Sequence, residues 1–155
     1  MNIIAFAFNE NISAQVLKQL SIKDAFILPS NYSEIDKLVQ KLIAIKPQFV
    51  LGLGMYSRVD KDKLRIETKC SLNNEDFEIN NFLYPLSKSK FAKGIGNSYC
   101  NYVSAKIMQA IKSQNIASKY TFIHIPKIFS VQEAAQEIIT MMNITSANDL
   151  SNPTS

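Results

Sequence analysis

The chain has 155 residues, with 17 Lys and Arg against 13 Asp and Glu for a net charge of +4. Apolar residues account for 46%, which excludes a disordered chain, and two cysteines exclude a disulfide scaffold. A chain of this size buries roughly 70% of its unfolded surface around one core. No apolar run approaches the roughly 20 residues that span a bilayer. The opening Met1-Asn2-Ile3-Ile4-Ala5-Phe6 lacks the basic stretch and small-residue cleavage site of a signal peptide. A cytoplasmic protein with no membrane partner is therefore expected. Its lysines are spread thinly (Lys18, Lys23, Lys37, Lys41, Lys46, Lys61), without the basic clusters and interleaved aromatics of a nucleic-acid surface, so no nucleic acid is expected either.

Residues 2–8 form a short continuous apolar run, the pattern of a strand buried on both faces. Asn11 and Ser13 signal a helix start, followed by Ile12, Val16, Leu17 and Leu20 at helical spacing. Residues 24–28 read as a second strand closed by Pro29. Ser33 and Asp36 then resemble a capping box, and Ile35, Leu38, Val39, Leu42 and Ile43 mark the inner face of the helix it opens. Pro47 ends that unit, and Phe49 to Gly54 reads as a third buried strand. From Lys63 to Leu72 the period is two. Leu64, Ile66, Thr68, Cys70 and Leu72 fall on one face, and Lys63, Arg65, Glu67, Lys69 and Ser71 on the other.

Residues 73–97 are rich in Asn, Ser and Lys and read as loop. A helix is expected from Ser98 or Tyr99 to about Ser113, with Val103, Ile107, Ala110 and Ile111 inward. Tyr120 to Ile125 is another buried strand, stopped by Pro126. Ser130 and Glu133 form a second capping box for a last helix carrying Val131, Ala134, Ala135, Ile138, Ile139 and Met142. One domain over 1–144 is expected, with a polar, frayed tail over 145–155. Alternation of strands and helices predicts an α/β layered domain with a largely parallel sheet, and ligands in such folds sit outside the carboxyl ends of the strands.

Three residue types bear on chemistry. His124, the one histidine, lies at the carboxyl end of a predicted central strand. It is either a satisfied core residue or a base near the cleft. Cys70 shares an apolar face and reads as a small core hydrophobe. Cys100 follows Gly94-Ile95-Gly96-Asn97-Ser98-Tyr99 and opens a helix, where the macrodipole favours a thiolate and backbone amides can meet an oxyanion. The alternative is a cysteine that merely fills space. One histidine and two dispersed cysteines make a poor zinc site.

The segment Gly96-Asn97-Ser98-Tyr99-Cys100-Asn101 with its following helix, together with Phe122-Ile123-His124-Ile125-Pro126, resembles pyroglutamyl peptidase I, also called pyrrolidone-carboxylate peptidase. In that family a Gly lies four residues before the nucleophilic cysteine and an Asn follows it. The histidine sits in a Phe-Ile-His-hydrophobic-Pro strand end, and the separation of 24 residues between Cys100 and His124 fits the family spacing. The resemblance implies a three-layer α/β/α sandwich of the phosphorylase/hydrolase type. It implies Cys100 as nucleophile, His124 as its base and Glu67 as the acid that orients the imidazole. From pattern alone, Glu67 between Arg65 and Lys69 reads as a solvent-facing ion pair.

The resemblance further implies a small peptide substrate with a blocked amino terminus and covalent acyl transfer without metal or organic cofactor; whether the chain forms a homo-oligomer is left open by the sequence. It puts Phe6, Phe8 and Met55 at substrate-binding positions. This sequence departs from the family there. The loop after the first strand is reduced to Phe6-Ala7-Phe8-Asn9-Glu10, and Met55 stands where the family has a glutamine. Thr68 replaces an arginine, Tyr102 replaces a common histidine, and the chain is shorter than family members before Cys100. The pattern is that of a shortened, divergent member. The alternative is a weak or inactive relative that acts as a binding or assembly module.

Overall fold

Two-sided burial of short apolar strands requires helices on both faces of a sheet. The computed structural model, which describes residues 2–29, 31–57, 62–96 and 98–151, has that arrangement. Strands β1 (Ile3–Phe8), β2 (Asp24–Leu28), β3 (Phe49–Tyr56), β4 (Leu64–Glu67), β7 (Ser89–Ala92) and β8 (Lys119–Pro126) form one sheet in the order β2-β1-β3-β8-β4-β7. All neighbours run parallel except β4 and β8. Strands β5 (Lys69–Leu72) and β6 (Glu75–Glu78) form a separate antiparallel hairpin.

Helices α2 (Ile35–Ile45) and α3 (Tyr99–Ser113) cover one face of the sheet. Their Leu38, Leu42, Val103 and Ile107 cluster with Ile4, Phe6, Val50, Tyr120 and Phe122. Helices α1 (Ile12–Gln19) and α4 (Val131–Ser151) cover the other, where Val16, Leu17, Ala135 and Ile138 meet Leu51, Leu53, Ile66 and Ile123. The alternate residues of each strand thus feed two cores, giving the layered, mostly parallel α/β domain that the alternation of elements predicts, in the three-layer α/β/α form that the resemblance implies.

Local chemistry sets the helix ends. Asn11 caps α1, its side chain accepting from Ser13 N at 2.8 Å. Ser130 and Glu133 make the reciprocal capping box read from the sequence, with Glu133 N donating to Ser130 Oγ and Ser130 N to Glu133 Oε2, both at 3.1 Å. Before α2 the expectation is corrected. Asn31, not Ser33, is the cap, and it opens a 3-10 turn (Tyr32–Glu34) that leads into the helix. An Asn side chain two residues before an amide competes effectively for this role.

Three further expectations are corrected. The period-two run from Lys63 to Leu72 is two strands in different sheets, because the chain leaves the main sheet at Thr68. The stretch 73–97 contains β6 and β7, whose short polar sequences give no buried-strand pattern. The tail expected to fray over 145–155 is helical from Thr145 up to Ser151, and 152–155 lie outside the described residues. Thr145 Oγ1 donates to Phe82 O at 3.1 Å, fixing the extra turns of α4 to the body of the domain. Among the described residues, no helix is long and apolar enough to cross a membrane.

Candidate active site

The site forms where β3 and β8 end. In the parallel register Gly54 lies beside His124, and in the antiparallel register Arg65 of β4 lies on its other flank. Residues opposed in this way direct their side chains to one face. That face is the one covered by α3, so Phe122, His124, Arg65 and Glu67 all project toward the helix that begins at Tyr99. Cys100 is its second residue.

Glycine at 54 lets the groups meet. A Cβ placed there would lie 3.0 Å from Cys100 Sγ and 3.1 Å from His124 Cδ2. Both side chains therefore close on the space that Gly54 leaves empty, without a hydrogen bond between them. His124 is 4% exposed, its ring edge-on to Phe122 at 5.0 Å. Its Nδ1 lies 2.8 Å from Glu67 Oε1. A carboxylate only accepts, so Nδ1 carries the proton and Nε2, bonded to Cδ2, is the nitrogen available on the Cys100 side.

Glu67 is fully buried, which overturns its reading as a solvent-facing ion pair. The physical reason is that β4 is an interior strand, flanked by β8 and β7 with both faces covered. Two donors converge on one oxygen: His124 Nδ1, and Arg65 Nε at 3.1 Å. The other oxygen, Oε2, is buried without a hydrogen-bond partner among the described residues. Asn81 Nδ2 donates to the Glu67 carbonyl at 3.0 Å and fixes the backbone beneath.

Cys100 and Cys70 differ as the sequence predicts in setting, but not in charge. Cys70 is a core residue whose thiol burial pushes up to about 12. Burial also pushes the Cys100 thiol up, to about 11, against the downward pull of the Ser98 hydroxyl and its own backbone amide; the charge of Glu67 raises it further. Desolvation thus outweighs the helix-start effect that favours a thiolate. A thiol raised in this way is protonated at neutral pH, and its thiolate fraction rises about tenfold per pH unit up to pH ~10. Iodoacetamide labelling of Cys100, followed by mass spectrometry, is expected to climb with that slope, with Cys70 slower throughout. A plateau beginning below pH 8 would show instead that the resting thiol is already ionised.

A cleft of about 380 Å³ opens beside this group, lined by Met55, Tyr56, Arg65, Gly96, Ser98, Cys100 and His124 among others. Gly94 and Gly96 both have φ of +82°, a region open to glycine, and carry the chain past the cleft into α3. The amides of the first helical turn have no intrahelical acceptor, and the Ser98 side chain does not cap them. Asn97 of the quoted motif lies outside the described residues. Asn101 braces the helix start, donating from Nδ2 to Ser71 O at 2.7 Å and accepting from Ser71 N at 2.9 Å.

The expected substrate-binding residues separate. Met55 lines the cleft. Phe6 does not, being fully buried and stacked in the core against Tyr120 and tilted against Phe122. Phe8 is also buried and meets Tyr99 edge-on at 5.3 Å, so it supports the first turn of α3 from below. Their positions within a central strand, rather than in a loop, explain the correction. Arg65, Tyr56 and Ser98 are cleft residues that the sequence pattern does not single out. The only signal for Arg65 is its period-two partnership with Glu67.

The architecture is the α/β/α fold that solved pyroglutamyl peptidases share. Among solved structures, the chain is similar to the pyrrolidone carboxyl peptidase from Thermococcus litoralis, with a TM-score of 0.71 and 16% identity over 98% of this chain and 96% of that one. It is similar to pyroglutamyl peptidase I from Bacillus amyloliquefaciens, with a TM-score of 0.77 and 12% identity over 92% of this chain and 94% of that one. An E192I mutant of the pyrrolidone carboxyl peptidase from Pyrococcus furiosus gives a TM-score of 0.69 and 14% identity over 96% and 99%. At these identities the likeness is one of fold. No protein-family model matches the sequence, and no curated protein matches it.

Proposed function

We propose that this chain is a cysteine peptidase of the pyroglutamyl peptidase kind, removing an amino-terminal pyroglutamyl or related acyl group from a small peptide. The observation that carries this reading is the convergence of Cys100 Sγ and His124 on the space above Gly54, with Glu67 Oε1 2.8 Å from Nδ1 at the far side of the ring. In the proposed reaction His124 Nε2 takes the proton from Cys100 Sγ as sulfur bonds to the acyl carbonyl carbon. The buried Glu67 carboxylate orients the ring and stabilises the positive charge that forms on it. Amides at the start of α3 hold the tetrahedral oxyanion.

His124 then protonates the leaving amine nitrogen, the C–N bond breaks, and a thioester remains on Cys100. Water, giving a proton to His124, attacks the thioester carbonyl; the C–S bond breaks, sulfur regains its proton and the acid departs. A resting neutral thiol is compatible with this course, because the proton moves only as the substrate binds and excludes water.

The raised Cys100 thiol is also the observation that favours the second reading, a binding module without catalysis. Mixing the protein with fluorogenic acyl amides and reading the intact mass separates the two. An acyl adduct on Cys100, absent in Cys100→Ser, together with released fluorophore, supports the peptidase. Bound but uncleaved amide with no adduct at any pH from 6 to 9 supports the module.

A further inference from the structure

Among the described residues, Arg65 is held in the cleft by only part of its hydrogen-bonding capacity. Its Nε donates to Glu67 Oε1, and its guanidinium carbon lies 4.6 Å from the centroid of the Tyr56 ring. These two contacts fix the plane of the group without using either Nη, and among the described residues neither Nη has a hydrogen-bond partner. The side chain is 15% exposed and lines the cleft together with Cys100 and His124. A guanidinium fixed at Nε presents its outer fork to whatever enters, and that fork matches a carboxylate with two parallel hydrogen bonds.

The rest of the cleft has the same polarity. Among the described residues, none that lines it is a carboxylate. Glu67, the nearest anion named in the site, is fully buried behind Arg65 and His124, so the guanidinium of Arg65 and not the carboxylate faces the opening. The start of α3 adds the positive pole of a helix. Met55 brings only a thioether, a weak acceptor with no donor for a neutral ring amide. Such a cleft favours an acyl group with a charge of its own over an uncharged lactam.

We propose that the preferred substrates are amides whose acyl group ends in a free carboxylate, bound by the outer fork of Arg65. This deepens, and rests on, the reading of the site as an acyl-transfer centre. Arg65 is in this view a specificity-determining residue, and weak activity on pyroglutamyl amides follows from the same geometry.

Two measurements test it separately. The first compares alkylation of Cys100 by iodoacetate, an anion, with iodoacetamide, its neutral analogue, each relative to glutathione at the same pH and salt. Both reagents meet the same sulfur, so the ratio reports the local field and not the nucleophilicity. The expected ratio for the native protein exceeds that of glutathione by about threefold or more. It falls to the glutathione value in Arg65→Gln, stays partly raised in Arg65→Lys, and diminishes with added salt. A ratio unchanged by Arg65→Gln overturns the proposal.

The second compares glutaryl, succinyl and pyroglutamyl fluorogenic amides. The expected kcat/KM is at least tenfold higher for the better dicarboxylic amide, and Arg65→Gln narrows that ratio towards one, whatever it does to the rate on both amides. A higher kcat/KM for the lactam overturns the proposed preference. If the alkylation ratio falls in Arg65→Gln but no amide is hydrolysed, the anion site stands and the peptidase reading fails.

Discussion

Gly54→Ala is expected to lower kcat by about a hundredfold on the best substrate while leaving a folded protein. The added methyl would lie 3.0 Å from Cys100 Sγ, 3.1 Å from His124 Cδ2 and 2.8 Å from Phe122 Cζ. Carbon does not approach carbon or sulfur so closely without displacement, so each neighbour must move by some tenths of an ångström. Phe122 is fully buried and braced by Phe6 and Phe8, so the added methyl is pushed off that ring and drives the thiol and the imidazole apart. A misplacement approaching 1 Å between reacting groups costs about 10²-fold. Stability changes less, because the site opens onto a cleft into which the two side chains can shift. Steady-state kinetics beside a thermal melt decide the matter. Unchanged kcat in a folded variant would mean that the reacting pair does not meet over Gly54.

Gly52→Ala, two residues earlier, is expected to act on stability instead. Its Cβ would lie 2.5 Å from Phe122 Cδ2 and 2.5 Å from Phe6 Cζ. Both rings are fully buried, and Phe6 is further confined by Tyr120 and Phe8, so neither has an open side to turn toward. Overpacking of this kind costs about 3 kcal/mol, against which the better strand propensity of Ala returns less than about 1. For a domain of this size the loss corresponds to a fall in Tm of about 10 °C. Phe6→Leu removes the ring that crowds the site, so the double variant is expected to lose less than the two single losses together. Strict additivity would show that Phe6 is not the obstacle.

The two glycines illustrate how one strand serves both the core and the candidate site. They alternate with Leu51 and Leu53, which face α1 and α4. On the α3 side, Gly52 lets the Phe6 and Phe122 rings close into a floor. Gly54 leaves the space on that floor where Cys100 and His124 meet. Aromatic mass below and a vacancy above are supplied by one Gly-Leu-Gly step.

The sequence by itself determined the order of layers and the ends of most elements. Continuous apolar runs at β1, β3 and β8 require cover on both faces, and the caps at Asn11 and Ser130 are local interactions within a few residues. It also put Cys100 at a helix start and His124 near a strand end, since both follow from local periodicity. What only the tertiary structure decided was the environment of those residues. Glu67 has the same period-two pattern whether its face meets water or α3, and the antiparallel insertion of β4 between β8 and β7 buries it. Phe6 and Phe8 belong to the core, as the apolar run of residues 2–8 implies, and the substrate-binding position that the resemblance gave them fails because their strand is flanked on both sides. The protonated state of Cys100 is of the same kind: the helix start favours charge locally, but desolvation by the surrounding layers is a sum over distant chain segments, and here it is the larger effect.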